Sequence, residues 1–353
     1  MTIRNLGSNR TDIVGRLSHN FPSWDRDKDG KVEQNEFRDL IADPEIKGRD
    51  AAALATLYTI ADEEKRDRKL KNLPSVSNRD LDRLSDEYFK SDDANWLDRY
   101  YEHFSKKLDH KSTELFQTGL PNSMSSAQGG TPTCAFLSVL FTQAHRDPES
   151  VKRMVEELDD GTLSVQFPGD GEPIVLAPPT ETEQALYSTA KDGVWLTALE
   201  KAWSVKLEEQ RYPNRRKSRP YEDNAASTVQ ATYSLTGADK VTRTKMPKSC
   251  PSFEKGQTPR YMAAISDSLA KDAIVTASCL KGENVLEGIA DWHAYSVTSW
   301  NEDKGTVGLR NPWGSGEPEN KDGKARDGRD DGRFDLSLEE FLQNFRYVTR
   351  EER

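Results

Sequence analysis

The residues best suited to chemistry in this chain lie in three short segments far apart in sequence. They read Gln128-Gly-Gly-Thr-Pro-Thr-Cys134, His293-Ala-Tyr-Ser-Val297 and Arg310-Asn311-Pro312-Trp313-Gly314. A thiolate that attacks a carbonyl needs an imidazole to hold its proton, an amide to orient that imidazole, and a donor for the oxyanion that forms. Cys134, His293, Asn311 and Gln128 are of the types required. Thr131 can cap a helix and Pro132 suits its first position, which puts Cys134 in the first turn. There the positive end of the helix dipole favours the thiolate. Ala135-Phe-Leu-Ser-Val-Leu-Phe141 continues as a buried helix. Cys279 ends an apolar strand and reads as core, and Cys250 sits beside Pro251 in a loop with neither a cap nor a glutamine.

The elements that must position the histidine and the asparagine are two strands, Trp292–Trp300 and Thr306–Arg310, joined by Asn301-Glu-Asp-Lys-Gly305. If all five residues form the loop, Trp300 opposes Thr306, Tyr295 opposes Asn311 and His293 opposes Trp313. Strand alternation then sets His293, Asn311 and Trp313 on one face. A slip of one residue would separate them.

A second constellation precedes these. Asp25-Arg-Asp27-Lys-Asp29-Gly30-Lys31-Val32-Glu33-Gln-Asn-Glu36 fills the EF-hand template, with hard oxygen ligands from Asp25, Asp27 and Asp29 and a sharp turn at Gly30. Lys31 would lend its carbonyl, Glu33 would act through water, and Glu36 would bind in bidentate fashion, so Ca2+ is the cofactor expected. A pairing partner is expected at Lys69–Asp80, with Val76 matching Val32. Lys69, Lys71 and Leu73 stand where its first three ligands should be, so that loop should not bind calcium.

Helical periodicity surrounds the acidic loop and continues through Leu54, Leu57, Tyr58 and Ala61, through Leu81 to Phe89, and through Trp96 to Leu108. Beyond Cys134, short strands are expected at Leu163–Phe167 and Pro173–Leu176, and a helix at Val194–Trp203. After about residue 225 the chain reads as strand-rich, closing with a helix at Ser337–Phe345. The basic run Arg211, Arg215, Arg216, Lys217 and Arg219 reads as a solvated surface loop.

A formal net charge of -10, with 31% charged residues, argues against general nucleic-acid or anionic-membrane binding. No apolar run reaches the ~20 residues of a membrane span, and no apolar export signal follows Met1. Three cysteines suit a reducing compartment, so a cytoplasmic location is expected.

The three catalytic words resemble the calpain catalytic core within the papain-like superfamily, over roughly Gly119 to Thr349. Asp192-Gly-Val-Trp-Leu-Thr-Ala-Leu-Glu-Lys-Ala-Trp203 and Asp331-Gly-Arg-Phe-Asp-Leu-Ser-Leu-Glu-Glu-Phe-Leu342 add to the likeness. The resemblance implies an α+β fold, a two-lobed papain-like core preceded here by an all-α EF-hand pair. The expected divisions are 1–90 for the EF-hand pair, 91–120 for a helical linker, 121–225 for a helical lobe carrying the cysteine, and 226–353 for a β-rich lobe carrying the histidine and asparagine. It implies limited proteolysis of protein or peptide substrates, with Cys134 as nucleophile, His293 as base and acid, Asn311 as orienter and Gln128 as oxyanion donor. Several substitutions depart from the family: Pro132-Thr133 precede the cysteine where Gly-Asp is usual, Ala135 follows it where an aromatic is usual, and Trp292 precedes the histidine where glycine is usual. Glu317 and Asp331 match acidic positions of a second-lobe calcium site, but Arg333 replaces a glutamate and Pro318 a tryptophan, so that site should be weak or absent. The alternatives are a calcium-sensing scaffold without turnover and an acyltransferase of transglutaminase type. Asn311 disfavours the latter, which would generally use aspartate.

Overall fold

The structure, a computed structural model, describes residues 10–67, 75–90, 95–211, 226–249, 258–280, 282 and 286–353. Lys69, Lys71 and Leu73 of the expected second loop, residues 212–221 of the basic run, and Cys250 lie outside these. The chain divides into two units. One comprises Met1–Ser112, Pro179–Tyr187 and Glu208–Tyr221; the other comprises Thr113–Pro178, Ser188–Leu207 and Glu222–Arg353.

The described elements of the first unit are helical, apart from one pair of two-residue strands. Helices Arg10–Trp24 and Gln34–Ile41 flank the acidic loop, followed by Gly48–Asp67, Asn78–Lys90 and Asn95–Asp109. The apolar stripes seen in the sequence are buried together: Ile13, Leu17, Phe21 and Trp24 meet Phe37, Leu40, Ile41 and the run Ala51–Ala55. Val32 pairs with Val76 and Lys31 with Ser77 in a short antiparallel bridge, the contact foreseen between the two loops. A sixth helix, Glu181–Leu186, also belongs here. Thr180 and Glu183 form a capping box at its start, and the Thr180 hydroxyl donates to the Ile41 carbonyl at 2.5 Å. Lys107 Nζ donates to the Ala185 carbonyl at 2.7 Å near its end.

The second unit has two cores. In the first, Phe136 of the helix Cys134–Arg146 stacks on Trp203 of the helix Trp195–Arg211, with ring centroids 4.8 Å apart. Phe167 meets both edge-on, and such pairs add about 0.5–1.5 kcal/mol each beyond their burial. Gly193 lets the chain enter this helix: at φ 143°, a Cβ there would lie 2.3 Å from the Leu115 carbonyl oxygen. The two expected strands, observed at Leu163–Val165 and Ile174–Leu176, form a small sheet with a third that was not foreseen, Val155–Glu157.

The second core lines a six-stranded antiparallel sheet. Its strands are β1 (Val241–Lys245), β2 (Val275–Ser278), β3 (Ala294–Asn301), β4 (Thr306–Arg310), β5 (Arg333–Ser337) and β6 (Tyr347–Glu351), in the order β5-β4-β3-β2-β6-β1. Met262, Ile265, Tyr295, Val297, Val307, Phe341 and Phe345 fill that core. Two helices stand where the sequence reads as strand-rich, Thr228–Thr236 and Arg260–Ala270. Thr-Val-Gln-Ala-Thr-Tyr-Ser-Leu-Thr carries β-branched residues suited to a strand. Its ends decide otherwise: the Ser227 side chain caps the Gln230 N–H, and Gly237 closes the helix in the left-handed region at φ 65°.

Candidate active site

Cys134 is the first residue of its helix, and the cap is Thr133, two residues later than expected. Thr133 makes no side-chain cap, because its hydroxyl is committed elsewhere: with that of Thr131 it donates to the Glu200 carboxylate. Glu200 is fully buried, and its other oxygen accepts the Ser188 N–H at 2.6 Å. Ser188 Oγ in turn accepts the Gly129 N–H at 3.1 Å. A buried carboxylate served by two hydroxyls and an amide thus fixes the segment that delivers the cysteine. Sequence reasoning missed this role. Glu200 lies four residues from Leu196 and three from Trp203, both fully buried, so a lone acid on an apolar helical stripe was the available signal.

The hairpin reaches the foreseen arrangement by a different route. Asn301, not Trp300, pairs with Thr306, so the connecting loop is one residue shorter. The register then shifts between Val297 and Ser299, and beyond this bulge Ser296 pairs with Arg310. That is the register in which Tyr295 opposes Asn311. His293 Nε2 and Asn311 Oδ1 lie 2.8 Å apart. The carboxamide is oriented by two further bonds: Oδ1 accepts the Trp313 N–H at 3.0 Å, and Nδ2 donates to the Gly316 carbonyl at 2.9 Å. Oδ1 can only accept, so His293 carries its proton on Nε2 and leaves Nδ1 as a base. The Trp313 ring lies 4.5 Å from the imidazole.

The four residues picked out by sequence belong to one unit and to neighbouring segments. The backbone amide of Ala294, the residue after His293, pulls the Cys134 thiol down against its burial. Gln128 N–H donates to the Pro312 carbonyl at 2.9 Å, tying the loop before the cysteine to the Asn-Pro-Trp segment. The Arg310 guanidinium, over the Phe141 ring, donates to the carbonyls of Ser123 and Ser126. Ser296 Oγ donates to the Ser138 carbonyl at 2.7 Å, joining β3 to the nucleophile helix. The Gln128 side chain gives its Nε2 to the Thr131 carbonyl at 2.7 Å, while its buried Oε1 has no partner among the described residues.

Burial dominates the electrostatics. It pushes the Cys134 thiol up against the pull of nearby backbone amides, and it pushes His293 down to about 4 against the Asn311 bond. Both shifts favour the uncharged form of their group in this arrangement.

Comparison with protein-family models matches residues 105–350 to the calpain family cysteine protease model. The chain belongs to the calpain family. Its members are cysteine proteases, hydrolases of protein substrates. No curated protein matches the sequence. Among the described residues no helix is long and apolar enough to cross a membrane.

Of the residues expected to match a second-lobe calcium site, Glu317 Oε1 accepts the N–H groups of Asp331 and Arg333 at 2.8 and 3.0 Å. The Arg333 guanidinium lies against Met124 Sδ. Asp25, Asp27 and Asp29 place carboxylate oxygens within 4.8 Å of one another. Like charges that close cost about 1 kcal/mol per pair even in water. Backbone donors offset this: Asp29 and Gly30 N–H bond Asp25, and Lys31 N–H bonds Asp29. Lys31 and Glu33 are exposed. Glu36 lies outside the trio, its oxygens accepting from Arg26 N–H at 2.6 Å and Glu33 N–H at 2.9 Å. This donor set, hard carboxylates around a tight turn with Gly30 at φ 88°, fits a calcium ion.

Proposed function

We propose that this calpain-family protein is a calcium-responsive cysteine endopeptidase working through Cys134, His293 and Asn311. The observation that carries the reading is the 2.8 Å contact of His293 Nε2 with an Asn311 carboxamide whose orientation is fixed on both sides. His293 Nδ1 takes the thiol proton as Cys134 attacks the scissile carbonyl, and Asn311 holds the ring in the tautomer that permits it. The Cys134 N–H, at a helix N-terminus, and a Gln128 amide hydrogen stabilise the oxyanion. His293 then returns the proton to the leaving amine, and water hydrolyses the acyl-enzyme thioester. Asp25, Asp27, Asp29 and Glu36 would hold calcium, with the Lys31 carbonyl and Glu33 through water. The ion would supply the positive charge that three converging carboxylates need, and Glu36 must exchange its backbone donors to join them.

The test is casein cleavage with calcium and with a chelator, by the parent, Cys134→Ala, and Asp25→Ala/Glu36→Ala. Cleavage should disappear in Cys134→Ala and fall at least tenfold in chelator and in the double variant. Cleavage lost only in Cys134→Ala keeps the protease and removes calcium control. A second reading, a calcium-sensing scaffold without turnover, is favoured by the burial that disfavours charge on both Cys134 and His293. Failure of an electrophilic peptide probe to label Cys134 in calcium would establish it in place of the first.

A further inference from the structure

Trp292 directly precedes His293, and its backbone is in the left-handed region, at φ 51°. Among the described residues only Lys28 and Asp272 share that region without being glycine. Both are flexible or short polar side chains in turns, whereas a bulky aromatic there is a genuine outlier. Core packing does not repay the strain, because the residue is 67% exposed, the most exposed large apolar side chain described. Glycine at this position would relieve the backbone, and removing the indole would leave no cavity behind it. The fold therefore holds a strained and largely unburied indole one residue from the imidazole that Asn311 orients. A second exposed indole, Trp313 at 43%, lies on the imidazole itself. Backbone strain that packing does not repay concentrates at active sites and ligand clamps.

We propose that Trp292 is a specificity-determining residue, an indole wall that selects peptide substrates with an aromatic or bulky apolar side chain beside the scissile bond. The proposal rests on the protease reading above. An aromatic side chain stacks on the indole and removes both faces from water, while alanine or aspartate at the same place does not. Selectivity of this kind is worth roughly tenfold or more in kcat/KM.

The experiment digests a peptide library with the parent, Trp292→Gly and Trp292→Phe in calcium, mapping cleavage sites by mass spectrometry. A matched pair of peptides, differing only as Phe or Ala at the preferred position, then gives kcat/KM. The parent should favour aromatic and leucine side chains at one position flanking the cut. Trp292→Gly should lose about tenfold of the Phe-over-Ala ratio, and Trp292→Phe should keep most of it. Trp292→Gly should also unfold at a higher temperature, since the strain is gone. A ratio unchanged in Trp292→Gly, or no apolar preference in the parent, overturns the proposal while leaving the protease reading intact. A lower unfolding temperature for Trp292→Gly overturns it too, by showing that packing holds the indole. Parent and Cys134→Ala equally unable to cut the library would bring down the protease reading and this inference with it.

Discussion

His293 sits where a proton is unwelcome. Burial lowers its folded value to about 4, while an unfolded histidine titrates near 6.5. Between those values the unfolded chain binds a proton that the folded chain does not. The stability contributed by the neutral ring is therefore complete above about pH 6.5 and is lost as the pH falls toward 4. At pH 5 the loss is about 2 kcal/mol relative to pH 7.5. Urea midpoints should thus fall further for the parent than for His293→Gln over that range, and equal falls would mean the imidazole is not held neutral. The residue types of this site were legible because thiol, imidazole and carboxamide are rare and their order is informative. Glu200 was not, because its role depends on Thr131, Thr133 and Ser188 converging on it, and no local pattern announces such a meeting.

Among the elements, the β3–β4 hairpin decides whether histidine and asparagine share a face. Its alternation was readable; its loop length and its bulge were not, since each depends on how the turn closes and on the neighbours β2 and β5. The two misreadings cancel at the end that matters. Deleting Thr298, beside the register shift, should regularise the ladder and leave His293 opposite its partner, keeping cleavage within roughly tenfold of the parent. Inserting one alanine between Leu309 and Arg310 has no bulge to absorb it and should turn Asn311 to the other face. Cleavage should then fall by roughly a thousandfold or more, and comparable activity in the two variants would refute this account. Helix Thr228–Thr236 teaches the complementary lesson: interior propensity pointed to a strand, while Ser227 and Gly237 at the ends carried the correct message.

For the whole molecule, calcium is the condition that the proposed loop site would make most consequential. Asp25, Asp27 and Asp29 repel one another in the folded state and not in an extended chain, so an ion that binds only the folded loop stabilises it. At a hundredfold excess over its dissociation constant the gain is about 2.7 kcal/mol. Thermal unfolding should move upward with calcium in the parent and not in Asp25→Ala/Glu36→Ala. An equal shift in both would place the ion elsewhere.

The segment Pro179–Tyr187 has a consequence in time. It belongs with the residues before Thr113, yet it is flanked on both sides by chain of the other unit. During translation the residues that bury Leu186 and Tyr187, and the Ile41 carbonyl that Thr180 caps, leave the ribosome first. Their missing helix follows about 75 residues later, a delay of roughly 4–15 s at ordinary elongation rates. The acidic loop can close early, but the body that carries it is completed only when part of the protease has already been made.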